Sequence, residues 1–407
     1  MRLDTVLAAL DRRLDPESAA PLAVGFSGGG DSLALLLATL DWARTHGRSV
    51  LSLTVDHQLR PASAAWTRDA IARAEALGAT ALGLRWTGDK PATGLSAAAR
   101  RARHALLAEA ARAAGARVLL LGHTADDLAE AAAMRAQGST VSDPRDWSPS
   151  PAWPEGRGVF LLRPLLTERR ADIRAWLIER GQTWLDDPAN DDPRSLRARM
   201  RRAGPTDIAW KAPPPPPPSF AGDAFGILTL PRDAAAAHVA AACLCAAGTV
   251  RPPRGERLER LVARLRSGEI FTATLAGARI DAGPDAVRIG RDAGETARGG
   301  LARLDLAAGE TGVWDGRYEI FAGGAAISIL PLKGLAASLP PAQRAALKAV
   351  PASARPALPA LLDKAGGVSC PVLGGPSLAM SQGERVGALF LDRFRAATGL
   401  IDQECVT

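Results

Sequence analysis

Through the first half of the chain, short apolar runs alternate with longer stretches whose apolar residues recur every three or four positions. The runs at 22–26, 50–55, 80–85, 118–121 and 159–162 predict strands, and the periodic stretches at 31–44, 63–77, 95–114, 125–137 and 168–180 predict helices. Such alternation implies an α/β domain built on a doubly wound parallel sheet, with helices on both faces and ligands at the carboxyl ends of the strands. The rhythm breaks at 203–225, where Pro213 to Pro218 form a run of six prolines that supports neither helix nor sheet and reads as a stiff linker. Beyond it, 254–266 predicts a helix with Leu258, Leu261, Val262 and Leu265 on one face and Arg257, Arg260 and Arg264 on the other. From Ile270 the period changes to two, and Trp314-Asp315-Gly316-Arg317-Tyr318 reads as a tight hairpin turn. The expected division is therefore a catalytic domain at 1–203, a proline-rich linker with a shortened helical region at 204–253, and a smaller α+β accessory region at 254–407. No internal repeat is visible.

A chain of 407 residues exceeds one ordinary domain. Hydrophobic residues at 47% and charged residues at 23% fit a globular protein and exclude a disordered or fibrous one. The net charge of +7, carried by arginine far more than lysine, suits a partner rich in phosphate, although a generally basic proteome produces the same balance. Cys243, Cys245, Cys370 and Cys405 form no Cys-x-x-Cys pair, which argues against a zinc ribbon, an iron–sulfur site and a disulfide framework. The charged start, with Arg2, Asp4, Asp11, Arg12, Arg13 and Asp15, is unlike a signal peptide, and no apolar stretch approaches the roughly 20 residues of a membrane span. The expectation is a cytoplasmic enzyme without a membrane partner.

Ser27-Gly28-Gly29-Gly30-Asp31-Ser32 lies between the first predicted strand and the first predicted helix. Successive glycines let several N–H groups converge at the positive end of the helix, which makes the loop a candidate phosphate cradle. It lacks the Gly-Lys-Ser/Thr ending of a Walker A motif and the spacing of a dinucleotide fingerprint. The alternative is a glycine-rich turn that binds nothing. The hexapeptide resembles the PP-loop of the ATP pyrophosphatases, which cleave ATP between the α and β phosphates, and so implies a PP-loop, adenine nucleotide alpha hydrolase-like fold. By that resemblance Ser27, Gly28, Gly29, Gly30 and Ser32 hold the departing pyrophosphate, and Asp31 positions Mg²⁺ on the phosphates.

Three further segments belong to the same rim. After the second strand, Val55-Asp56-His57-Gln58-Leu59-Arg60 offers a polar turn to an adenine base, although a single histidine in a turn equally serves as a surface hydrogen-bonding residue. After the fourth strand come His123, Asp127 and Glu130 at i, i+4 and i+7, which bring two carboxylates onto one face near a helix start. These carboxylates suit Mg²⁺ or an ammonium group, against a capping role for Asp126 and dipole compensation by Asp127. On the helix before that strand, Arg100, Arg103 and His104 share a face from which arginine could grip phosphate, while Arg101 points elsewhere.

Taken in order, the PP-loop, Val-Asp-His-x-Leu-Arg, Ala-Arg-x-x-Arg-His, His-x-x-Asp-Asp-x-x-Glu, Arg163-Pro164-Leu165-Leu166, Asp187-Pro188-Ala189-Asn190-Asp191-Asp192, Arg197 and Arg201 resemble the tRNA(Ile)-lysidine synthases over about half the chain. The resemblance implies that ATP adenylates the C2 carbonyl oxygen of the wobble cytidine in tRNA(Ile) with a CAU anticodon. Free L-lysine then attacks through its side-chain nitrogen, giving lysidine, AMP and diphosphate. It further implies that Asp31 and Asp127 serve Mg²⁺ and phosphate, His123 and Arg103 the transition state, Glu130 the lysine ammonium, and Asp56 and His57 the ATP site. Arg100, Asn190, Arg197 and Arg201 fall to the RNA side, where Arg194, Arg199, Arg202 and the arginine face at 254–266 are candidates for phosphate contacts with the anticodon stem-loop. Ala131, Ala198 and His104 depart from residues usual in the family. The rivals are a PP-loop tRNA thiolase, which typically brings cysteine pairs, an amide-forming synthetase, and a non-catalytic RNA-binding module. The oligomeric state stays open, with a homodimer among the options.

Overall fold

The computed structural model describes residues 1–138, 144–185, 219–374 and 383–404, and the chain divides into two compact units, one formed by Met1–Pro214 with Ile401–Thr407 and the other by Pro215–Leu400.

In the first unit the elements run α1 (Leu3–Arg13), β1 (Leu22–Gly25), α2 (Gly30–Thr45), β2 (Val50–Asp56), α3 (Ser63–Ala76), β3 (Thr80–Arg85), α4 (Leu95–Ala113), β4 (Val118–Leu121), α5 (Ala125–Ala136), β5 (Trp147–Pro149), β6 (Phe160–Leu162) and α6 (Arg170–Glu179). The strands lie in the order β3-β2-β1-β4-β6-β5, parallel except for β5, which pairs antiparallel with β6 at the edge. The five predicted strands and five predicted helices are all present. Helix α1 and strand β5 were not predicted, and β5 makes the sheet mixed rather than wholly parallel. Its three residues carry too short a pattern to register.

Strands β1 and β4 read as continuous apolar runs because both faces are covered. Leu22, Val24, Val118 and Leu120 point to one face and pack with Leu10, Leu33, Leu36, Ile173 and Leu177 of α1, α2 and α6. Ala23, Leu53, Leu119 and Leu121 point to the other and meet Leu107 and Ala111 of α4. From β1 the chain winds outward through β2 to β3 and then crosses to β4 on the other side of β1. The carboxyl ends of β1 and β4 thus flank the point where the winding reverses, which is where open α/β sheets bind ligands.

The second unit departs from the expected division. Strands β7 (Ala221–Gly222) and β8 (Leu228–Pro231) and helix α7 (Ala236–Ala247) fall in the stretch expected to be linker and shortened helix. Of these, β8 and α7 share one core with α8 (Glu256–Arg266), β9 (Phe271–Leu275), β10 (Ala278–Ala282) and β11 (Ala286–Arg291). Helix α7 is nearly all Ala, Val, Leu and Cys and is buried on almost every side, so it is a central element rather than a connector. The helix expected at 254–266 is present as α8, with Leu258, Leu261, Val262 and Leu265 buried. The hairpin expected at 314–318 joins β12 (Thr311–Trp314) to β13 (Tyr318–Phe321) through the three residues 315–317, with Asp315 at φ +52° and Gly316 at φ +64° at the centre of the turn that the Arg317 N–H closes onto the Trp314 carbonyl. The proline run at 213–218 lies outside the described residues.

Candidate active site

The phosphate loop follows β1 and enters α2 at Gly30. Its shape is set by its own serines. Ser27 N–H donates to Ser32 Oγ at 3.2 Å, and Ser32 Oγ donates to the Gly29 carbonyl at 2.9 Å. Gly28 takes φ +82°, a conformation that favours glycine. The N–H groups of the first turn of α2, which a helix leaves unpaired, therefore open onto the loop. Gly122, at the exit of β4, meets that turn so closely that an added Cβ would lie 3.0 Å from the Asp31 carbonyl oxygen. Two segments about ninety residues apart thus approach closely at a position that has no side chain.

At that rim the structure brings Asp31, Asp127 and Glu130 around one guanidinium. Arg170, the first residue of α6, places Nε 3.0 Å from Asp31 Oδ2, Nη2 3.6 Å from Asp127 Oδ2 and Nη1 3.4 Å from Glu130 Oε1. Burial holds the Asp31 carboxyl above its ordinary range even against the pull of Arg170. Burial works against the charged form of Arg170 too, yet Asp31, Asp127 and Glu130 together keep its pKa above the usual value.

Helix capping differs from the expectation. Thr124 N–H donates to Asp127 Oδ2 at 2.9 Å, so Asp127 closes a capping box at the start of α5. Asp126, expected to cap its own helix, instead accepts the N–H of Arg170 at 2.7 Å and caps α6. The two adjacent aspartates thereby fix two helices at once.

On the other side of β4 the groups are basic. Arg163 is buried and donates from Nε to His123 Nδ1 at 3.2 Å. Arginine always donates, so Nδ1 is the bare nitrogen of His123 and the neutral ring carries its proton on Nε2. Burial, then Arg163, pushes the His123 pKa down to about 3, so the ring stays neutral near pH 7. Burial, then Arg103 and Arg100, does the same to His104, down to about 2, and burial with Arg103 also lowers His57. Arg163 itself is pushed down to about 10 and keeps its charge. Arg103 is half-buried and Arg100 exposed. At the end of β2, Asp56 Oδ1 accepts the Gln58 N–H at 2.8 Å and shapes the turn. Beside it an open recess of ≈ 350 Å³ is lined by Asp56, Gln58, Leu59, Arg60, Pro61 and Ser63.

Sequence reasoning missed Arg170, Trp184 and Leu185. Leu185 N–H donates to the Gly28 carbonyl at 2.9 Å, and an added Cβ on Gly30 would lie 3.4 Å from the Trp184 ring, so residues 184–185 lie against the phosphate loop. One signal for Arg170 was available. A cation in the first turn of a helix opposes the helix dipole and so calls for a carboxylate partner elsewhere. Asn190, Arg194, Arg197, Arg199, Arg201, Arg202 and the Asp187–Asp192 stretch lie outside the described residues. On α8, Arg264 pairs with Glu269 at 2.5 Å and Arg260 with Glu256 at 3.8 Å, so part of that basic face is already neutralised within the second unit.

Among the described residues no group of three or more His, Cys, Asp or Glu is arranged to enclose a metal. Asp31 and Asp127 nonetheless fit Mg²⁺, which favours hard oxygen ligands and is commonly held by one or two carboxylates together with substrate phosphates. The guanidinium already seated between them demonstrates that the pocket accepts a cation. Cys243, Cys245 and Cys370 are buried, and burial pushes each thiol up to about 12, which leaves them unsuited to sulfur chemistry.

A PP-loop domain model matches residues 3–204. A tRNA(Ile)-lysidine synthase of Caulobacter vibrioides is 63% identical over 411 aligned residues, covering 100% of both chains. One from Hyphomonas neptunium is 39% identical, covering 74% of this chain and 89% of its own, and one from Rhizobium meliloti is 33% identical, covering 75% and 74%.

Proposed function

From its membership of the tRNA(Ile)-lysidine synthases, the family to which this chain belongs, we propose how its residues divide the work of one reaction. The protein is a ligase that forms a C–N bond, joining L-lysine to C2 of the wobble cytidine of tRNA(Ile) at the expense of ATP. The observation that carries this reading is the full-length likeness to a lysidine synthase in a chain whose acidic and basic clusters converge on a PP-loop.

The ring carbonyl of cytidine holds its oxygen too strongly to release it directly. In the first step the C2 oxygen bonds to the α-phosphorus as the bond from that phosphorus to the bridging oxygen of the pyrophosphate breaks. Ser27, Gly28, Gly29, Gly30 and Ser32 would hold the leaving pyrophosphate, using the backbone donors and dipole of α2. The recess lined by Asp56 and Gln58, on either side of His57 in the chain, would seat the adenine. Mg²⁺, when bound through Asp31 and Asp127, would neutralise phosphate charge. Arg103 and the Nε2–H of neutral His123 would donate to the oxygens on which negative charge develops. His123 cannot act there as a general base through Nδ1, because Arg163 already occupies that lone pair.

In the second step the lysine nitrogen bonds to C2 and AMP departs with the former carbonyl oxygen. Glu130 would hold the side-chain ammonium near C2 and accept the proton that the nitrogen must shed to become the attacking amine. Fixing both reactants in one pocket contributes up to roughly 7–11 kcal/mol in well-oriented systems. Arg100, exposed at the rim, would meet the RNA backbone. We place the reaction in the cytoplasm, and among the described residues no helix is long and apolar enough to cross a membrane.

The test incubates the protein with ATP, radiolabelled lysine and tRNA bearing a CAU anticodon, beside the same tRNA with uridine at the wobble position. Label is expected in the first RNA alone. Absence of label from both, or label in both, would sink the reading.

A further inference from the structure

We propose that Arg170 is a built-in cation that occupies the carboxylate pocket until MgATP displaces it, so that lysine enters only after the nucleotide. The proposal rests on the assignment of Asp31 and Asp127 to metal and of Glu130 to lysine. Arg170 does not serve its own helix. Its side chain starts at the positive end of α6, where a cation is disfavoured, and runs away to three carboxylates on α2 and α5. A guanidinium is planar with five donors, and here Nε, Nη1 and Nη2 each face a different carboxylate. Its backbone is anchored by Asp126, so the side chain can swing while its origin stays fixed.

The same three carboxylates would have to receive the metal and the lysine ammonium. Both are cations, and each needs carboxylate oxygens that the guanidinium now faces. The triphosphate gives the guanidinium a competing anion of higher charge. Once Arg170 turns to the phosphates, its guanidinium no longer covers Asp31 and Asp127 against the metal or Glu130 against the ammonium, while Asp127 Oδ2 keeps its capping bond from Thr124. Arg170 is thus a positioning residue that sets the order of binding.

The test measures equilibrium affinities of the full-length protein and its Arg170→Met variant. The probes are Mn²⁺ alone by electron paramagnetic resonance, and lysine with and without Mg²⁺ and α,β-methylene-ATP by calorimetry. The wild type is expected to bind lysine at least about tenfold more tightly with the nucleotide analogue than without it. In R170M, Mn²⁺ alone and lysine alone are each expected to bind at least about tenfold more tightly than in the wild type. A merely structural role would weaken both. Unchanged or weaker binding of both probes by a folded R170M would overturn the proposal, as would the loss of fold in both R170M and R170K. Failure of wild-type lysine transfer to tRNA, measured alongside, would instead fail the underlying assignment, and the Mn²⁺ measurement would still decide whether Arg170 shields the pocket.

Discussion

At the scale of single residues, the buried histidines carry the most specific consequence. His123 and His104 are held neutral down to about 3 and about 2, whereas both would take up a proton near 6.5 in the unfolded chain. The unfolded state therefore binds more protons below pH 6.5, and the fold loses stability as pH falls through that window. Each histidine contributes a slope of about 1.4 kcal/mol per pH unit until its folded pKa is reached. His104→Leu is expected to remove one such share, which thermal unfolding from pH 4 to 7 would read as a shallower fall. An unaltered slope in the variant would show that His104 is charged in the fold. The residue types were plain in the sequence, and so was their spacing. Their neutrality was not, because it depends first on burial, which only packing sets, and for His123 also on Arg163 arriving from another segment.

Among secondary-structure elements, the start of α6 depends on one side chain from α5. Asp126→Ala removes the acceptor for the Arg170 N–H and is expected to cost about 1 kcal/mol of stability. It should also weaken MgATP binding, because Arg170 and the carboxylates lose their common frame. Asp126→Asn keeps an oxygen in place and should retain most of both. Equal losses in the two variants, followed by chemical denaturation and nucleotide titration, would mean that the charge rather than the cap matters. The strands and helices of the first unit were legible because period two, period 3.6 and apolar runs are local properties. Strand β5 was too short to show, and β7, β8 and α7 were hidden behind the proline run, where a compositional break suggested a linker.

For the molecule as a whole, the chain leaves the first unit, builds the second, and returns to the first. Glu404 takes both terminal nitrogens of Arg48, at 2.7 and 2.9 Å, with both side chains wholly buried. Ile401 accepts from Trp147, and Glu404 N–H donates to the Arg13 carbonyl. Breaking a buried pair from one side leaves a charge without compensation. Glu404→Gln is expected to destabilise the first unit by roughly 3–5 kcal/mol, while Arg48→Met with Glu404→Leu recovers most of it. Urea unfolding of the three proteins checks this, and a double variant no better than the single one would contradict it.

By itself the sequence determined the βα rhythm, the phosphate loop between β1 and α2, and the acidic and basic residues gathered at strand ends, because each is written in neighbouring positions. Only the tertiary structure decided that Arg170 stands among Asp31, Asp127 and Glu130, that His123 is a neutral donor, and that Glu404 returns to Arg48. Charge, protonation and ion pairing depend on distance and burial, and these are fixed where segments far apart along the chain are packed side by side.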